Sequence, residues 1–172
     1  MLDIEQLKKF RNINNITDPK IRRKAKLDFL ESVKKNKDTT IRSDFLTFVK
    51  YIWPDFIEGF HHKDISDKFN RLKTGELKRL IINMPPRHTK SEFASYFLPA
   101  WMIGNNPKLK IIQATHTAEL AVRFGRKTKN LIDSPEYREI FNTRLQEDSK
   151  AAGRWETDKG GEYFAEIGRA HV

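Results

Sequence analysis

Hydrophobic positions along this chain recur mostly at helical spacing, interrupted by a few short apolar runs. Residues 1 to 52 read as helical and basic. Asp18-Pro19 predicts a helix start, since an Asp carboxylate accepts orphan N–H groups at the N-cap and Pro suits the first turn. Behind it Ile21, Ala25, Phe29, Leu30 and Val33 form an apolar stripe, with lysines and arginines on the other faces. Such a helix either packs its stripe on a domain or serves as a DNA-facing or partner-facing arm. Ser43 precedes Phe45, Phe48, Val49 and Ile52, spaced i, i+3, i+4, i+7. Trp53-Pro54 ends that helix, because the residue before Pro disfavours the α region. A further helix carries Ile65, Phe69 and Leu72 and stops at Thr74-Gly75, where Gly suits the C-terminal cap.

KRLIIN (78–83) predicts a short buried strand, and MPPRHTKSE (84–92) a loop entering a helix. That helix carries Phe93, Phe97, Ala100 and Trp101, with a kink expected at Pro99 and an end at Gly104 and Pro107. LKIIQAT (109–115) predicts a second strand, followed from about Thr117 by a helix with Leu120, Phe124 and Leu131 on one side. Strand, loop, helix, strand is a βαβ unit, so 79–83 and 109–114 are expected as neighbouring or near-neighbouring parallel strands of one sheet. Ser134-Pro135 starts a short helix, 142–160 is polar and irregular, and GGEYFA (160–165) begins a strand.

Composition narrows the class. Hydrophobic residues make up 38% and charged residues 33%, which permits a folded core rather than a disordered chain. The formal net charge of +10 on 172 residues favours polyanionic partners: nucleic acid, nucleotide phosphates or an acidic membrane. With no cysteine, disulfides, thiolate chemistry and cysteine zinc sites are excluded. No apolar run approaches the ~20 residues of a membrane-spanning helix, and MLDIEQLKKF lacks the apolar core of a signal peptide. A cytosolic protein is expected.

The chemistry concentrates at 84–91. Phosphate binding needs a tight loop of inward N–H groups, a helix N-terminus, a lysine reaching the β/γ-phosphates and a hydroxyl on magnesium. Lys90 and Ser91 stand where the predicted strand turns into the helix, as candidate phosphate lysine and magnesium ligand. The usual G-x-x-x-x-G-K-[ST] pattern is not met: Met84 occupies the first Gly position and Thr89 the second. Pro85-Pro86 stiffens a loop that lacks glycine, and Arg87 brings a charge within reach of a γ-phosphate.

LIINMPPRHTKSE resembles the deviant Walker A segment of tailed-phage terminase large subunits, the ATP-driven motors that package DNA into capsids. The flanks agree. GFHHKDISDKFNRLKTGELKRL is similar to that family's lead-in to the phosphate-loop strand. KIIQATHTAELAVRFGRKTKNLIDSPEYREIF resembles its second strand and following helix, and RWETDKGGEYFA the stretch shortly before Walker B. The likeness spans about residues 45 to 165.

The resemblance implies an α/β fold, a partial P-loop NTPase of the additional-strand type with a helical N-terminal extension. The implied organisation is a basic helical segment over 1–42, the N-terminal part of the ATPase domain over 43–165, and a tail over 166–172. It implies ATP and magnesium as cofactors, with Pro86, Arg87, His88, Thr89, Lys90 and Ser91 around the phosphates, Ser91 on magnesium and Arg87 as an arginine finger in cis. His61 and His62 fall where the family's adenine-side segment lies, and Thr115 and His116 follow the second strand at the sheet edge where α/β ligands bind. Complete members move double-stranded DNA, cut concatemers with a two-metal nuclease domain, form homo-oligomeric rings, and work with a portal protein and a small terminase subunit. The implied location is the host cytoplasm, transiently at the procapsid portal, with no membrane.

The Walker B strand with its acidic pair is expected a few tens of residues beyond GGEYFA, so the chain reads as truncated before it. Asp148 and Asp158 have no preceding hydrophobic strand and do not replace that acid. Poor or absent ATP hydrolysis is the corresponding expectation. The likeness stops after Ala165, and EIGRAHV (166–172) reads as the translation of a common sequencing adapter, hence an expected non-native tail. Two other readings fit the residues: a basic nucleic-acid-binding or adaptor protein without nucleotide chemistry, and another, helicase-like P-loop ATPase.

Overall fold

The computed structural model describes residues 4–149 and 151–167. They fall into two compact units, one through Thr40 and one from Ile41 onward. The chain mixes helix with a small three-stranded mixed sheet. Among the described residues no helix is long and apolar enough to cross a membrane.

The first unit consists of α1 (Ile4–Asn14) and most of α2 (Pro19–Ser43). Asp18 caps α2 as expected, its Oδ1 accepting from Lys20 N at 2.7 Å. The rings of Phe10 and Phe29 lie 5.6 Å apart, with the Lys26 ammonium over Phe10. The predicted stripe is only partly buried. Phe29 is covered, but Ile21 and Leu30 are each 57% exposed. Two helices of such basic composition present too few apolar partners to cover every member of the stripe.

The second unit is built on an aromatic web. α3 (Phe45–Ile52) and α4 (Phe60–Lys73) supply Phe45, Phe48, Val49, Ile65 and Phe69. Asp44 is the N-cap of α3: its carboxylate accepts from Thr47 N at 2.7 Å and from Asn70 Nδ2 at 2.8 Å. Burial opposes charge on Asp44, but the hydrogen bonds from Thr47 and Asn70 outweigh it and hold the carboxyl below the usual range. Asn70 in turn accepts from Phe45 N at 2.9 Å, so the two helices share one capping network. α4 ends where expected, with Thr74 as cap and Gly75 at φ +78°.

The helix after the loop is continuous but not uniform. It starts as α5 (Lys90–Glu92), widens into a π-helical stretch (Phe93–Phe97) and closes as α6 (Leu98–Asn105). Leu98 N–H reaches back to Phe93 O, five residues away. Pro99 has no N–H for the Ser95 carbonyl and its ring crowds that group, and the ladder widens in the turn just before it, where the sequence predicts a kink. The helix delivers Phe93, Phe97, Ala100, Trp101 and Ile103 to the core.

The sheet corrects one expectation. β1 (Lys110–Thr115) pairs in parallel with β3 (Glu162–Ile167), and β2 (Arg154–Glu156) pairs antiparallel with β3, giving the order β1-β3-β2. The βαβ crossover therefore runs from β1 through α7 (Ala118–Asp133) and α8 (Pro135–Ile140) to β3. It does not join 79–83 to 109–114. Residues 77–85 are neither helix nor strand and belong to no ladder among the described residues. Leu80, Ile82 and Met84 pack on the core while Ile81 is 87% exposed, which is strand alternation without a strand partner. Alternation and β-branching favour extended backbone, but a ladder needs a neighbour at hydrogen-bonding distance, and β1 and β3 have paired with each other instead.

α7 covers the sheet. Thr117 caps it, accepting from Leu120 N, and the buried side is Ala121, Gly125, Thr128, Leu131 and Ile132 rather than Leu120 and Phe124. Gly125 is needed because a Cβ there would lie 2.3 Å from Ala152 O, and Trp155 Nε1 donates to its carbonyl. Trp155 stacks on Tyr163 at 4.8 Å, and burial pushes the Tyr163 phenol up to about 12. β3 begins within GGEYFA as expected and continues through the backbone of Glu166 and Ile167; the rest of the expected tail lies outside the described residues.

Candidate functional site

Residues 84–91 follow the unpaired segment and turn at 86–89 into the start of α5. Pro85 through Glu92 line a concavity of about 300 Å³, near the lower end of ligand pockets. The first closed helical turn is Phe93 N–H to Thr89 O. The N–H groups of Lys90, Ser91 and Glu92 precede it and have no intrahelical acceptor, which makes this end a donor-rich one.

The six residues expected around phosphate are all brought together here. Lys90 is half-buried and folds back across the loop, its Nζ donating to Met84 O at 3.2 Å. It does not project away from the loop. Ser91 is exposed in the first turn, and Arg87 is exposed at the loop tip. His88 donates from Nδ1 to Pro86 O at 2.9 Å, which tightens the bend. Arg87 and Thr89 have φ of 65° and 57°, the left-handed region that costs a non-glycine residue roughly 1–2 kcal/mol. Thr89, at a position where the usual pattern carries Gly, holds a φ that glycine adopts without strain.

The loop is tied to its surroundings on two sides. Glu92 accepts from Lys127 Nζ at 2.7 Å, and that ammonium lies 4.7 Å from the Tyr96 ring centre. On the other side His62 Nε2 is 2.6 Å from Thr89 Oγ1. His62 Nδ1 accepts from Gly59 N at 2.8 Å, closing the N-terminal cap of α4. His62 is 5% exposed and sits against the rings of Phe56 and Phe93, at 4.7 and 5.1 Å.

The terminase resemblance implies an adenine-side position for His62; its side chain caps α4 and contacts the loop's threonine. Neighbouring His61 lies 3.8 Å away ring to ring and approaches His88 at 5.7 Å. The signal that could have found His62 is the pair of histidines just inside a helix start that follows Gly59. Thr115 and His116 are not part of this arrangement. Thr115 Oγ1 donates to Thr117 O in the turn before α7, and His116 is exposed.

Asp148 and Asp158 do not reach the loop's concavity. Asp158 Oδ1 accepts from Arg144 N, and Asp148 lines a separate depression with Gln146 and Trp155. Among the described residues no group of three His, Cys, Asp or Glu is placed to hold a metal ion. The loop fits phosphate and offers magnesium one protein oxygen, from Ser91, a set that suffices only if phosphate oxygens and water complete the shell.

The electrostatics of His62 carry a stability consequence. Burial pushes its pKa below 6.5, His61 and His88 push the same way, and Glu58 opposes them. The unfolded residue therefore takes up a proton at higher pH than the folded one. Its contribution to stability is intact above pH 6.5 and is lost as pH falls through the lower, folded value. Thermal melting is expected to fall on acidification from about pH 7 to about pH 5, and less steeply for His62→Gln. Superimposable profiles of parent and variant would exclude His62 as the source. No family model, curated protein or solved structure matches the chain.

Proposed function

We propose that this chain is the nucleotide-binding part of a P-loop ATPase of the DNA-packaging, terminase large-subunit kind. The observation that carries the reading is the loop itself. Glycine-like backbone at Thr89, donors at the start of α5 and Lys90 lying across the loop come together in one concavity. The residue order in MPPRHTKSE and its flanks points to the same family.

In this reading the N–H groups of Lys90, Ser91 and Glu92 receive phosphate oxygens. Lys90 exchanges its bond to Met84 O for the β/γ-phosphates, and Ser91 gives its hydroxyl to magnesium. Magnesium neutralises charge on the phosphates when bound. Arg87, exposed at the tip, is free to turn toward a γ-phosphate as a finger in cis. Glu92 is the loop's own carboxylate and is engaged by Lys127, so the acid that orients water is assigned to none of the loop residues. Duplex DNA, a portal protein, a small terminase subunit and a ring of copies are the partners that go with this reading.

A second reading, nucleic-acid binding without nucleotide chemistry, draws on the exposed Arg123 and Arg126 of α7, which line a broad groove with Asn130. Equilibrium titration with a fluorescent ATP analogue and magnesium separates the two. The first reading expects saturable binding displaced by ATP and not by duplex DNA. Displacement by DNA alone, or no saturable binding, would favour the second.

A further inference from the structure

We propose that His62 is the positioning residue of the phosphate loop, its neutral imidazole holding Thr89 in the left-handed conformation that a glycine would adopt unaided. The inference rests on the nucleotide-binding reading for its functional meaning, and on geometry alone for the clamp.

The proton order along the contact is fully determined. Gly59 N–H can only donate, so His62 Nδ1 is the acceptor and a neutral ring carries its proton on Nε2. That proton is donated to Thr89 Oγ1 at 2.6 Å. The Thr89 hydroxyl then spends its own proton on His88 O at 2.7 Å. The hydroxyl is thus held between a ring on α4 and a carbonyl within the loop, which fixes χ1 of Thr89 and, with it, the backbone of a β-branched residue at φ 57°.

The ring has little room to turn away. Phe56 and Phe93 pack on it, and the residue is 5% exposed. Protonation of His62 would set an Nδ1–H against Gly59 N–H and break the order. The ionisable groups around it are His61 beside it on α4, Glu58 before that helix and His88 in the loop. Thr89 alone has no such restraint. Without the histidine, its preferred conformations lie elsewhere and the N–H groups of Lys90 to Glu92 lose their common direction.

A double-variant cycle tests the clamp. Affinity for a non-hydrolysable fluorescent ATP analogue with magnesium is measured for the full chain, His62→Phe, Thr89→Gly and the pair. Phe keeps the ring packing and removes both hydrogen bonds. With Thr89 present, His62→Phe is expected to weaken binding about tenfold, the scale of one hydrogen bond lost at a buried group. In the Thr89→Gly background, whatever that change does alone, the same substitution is expected to cost less than about twofold, because glycine needs no clamp. Equal losses in both backgrounds would overturn the proposal.

Two nucleotide-free measurements keep it separate from the ATP reading. Long-range nitrogen–proton NMR should find His62 protonated on Nε2. Amide exchange at Lys90 to Glu92 should rise in His62→Phe and fall back in the double variant. If the chain binds no analogue, the nucleotide reading fails while the exchange data still decide the clamp; an Nδ1–H tautomer or unchanged exchange overturns it. Should His62→Phe fail to fold by circular dichroism, His62→Leu, which is likewise apolar and makes neither hydrogen bond, takes its place in the same cycle.

Discussion

Lys90→Ala is expected to remove saturable binding of magnesium-ATP while leaving the fold intact. The side chain is half-buried, and its Nζ bonds to Met84 O at 3.2 Å. In the nucleotide-free chain the variant loses one lysine-to-carbonyl hydrogen bond in a surface loop, roughly 1 kcal/mol. On the proposed nucleotide-binding reading it also loses a charge-assisted contact to phosphate in a partly desolvated loop, and affinity should fall at least about 100-fold, or ~3 kcal/mol. Lys90→Arg should rescue little, since a planar guanidinium cannot deliver a compact charge across the same loop. Calorimetric titration beside thermal melts checks both halves. Affinity within about threefold of the parent would detach Lys90 from the phosphates.

The largest loss of stability is expected from Phe45→Ala. Phe45 is fully buried and meets Phe69, Phe93 and Trp101 at 4.9, 5.4 and 5.5 Å, each ring edge to face. Truncation removes a buried aromatic payload and leaves a cavity among rings held by two helices, α4 and the continuous helix that follows the loop, a site with little freedom to collapse. The expected cost is about 3–5 kcal/mol, a large share of the ~5–15 kcal/mol that holds a domain folded. Urea unfolding should show a lower midpoint at similar slope. The consequence extends to the loop, because Phe93 sits one residue beyond α5 and packs on both Phe45 and His62. A loss below about 1 kcal/mol would mean that the aromatic web repacks without Phe45.

Caps and helical periodicity act over a few residues, and they are what the chain states most directly. Asp18-Pro19, Trp53-Pro54, Thr74-Gly75 and Ser134-Pro135 mark helix ends that recur in the structure. Lys90 and Ser91 stand at the turn into a helix, as their position after an apolar extended run predicts. These features need no knowledge of distant residues, because each depends on orphan N–H groups, restricted φ values or one face of one helix.

Tertiary structure decided the rest. KRLIIN has the composition and alternation of a strand, yet pairing is a relation between two segments, and β1 found its parallel neighbour in β3, about fifty residues downstream. α7 buries Ala121, Gly125 and Thr128 rather than Leu120 and Phe124 because the close approach of Ala152 to Gly125 selects a small-residue face. The loop's shape is the sharpest case. Thr89 in the sequence argues against a glycine-type phosphate loop, and only the folded chain puts His62, 27 residues earlier, against its hydroxyl. Local rules read what a residue does to its neighbours in sequence; a buried ring from another helix changes which backbone conformation that residue can hold.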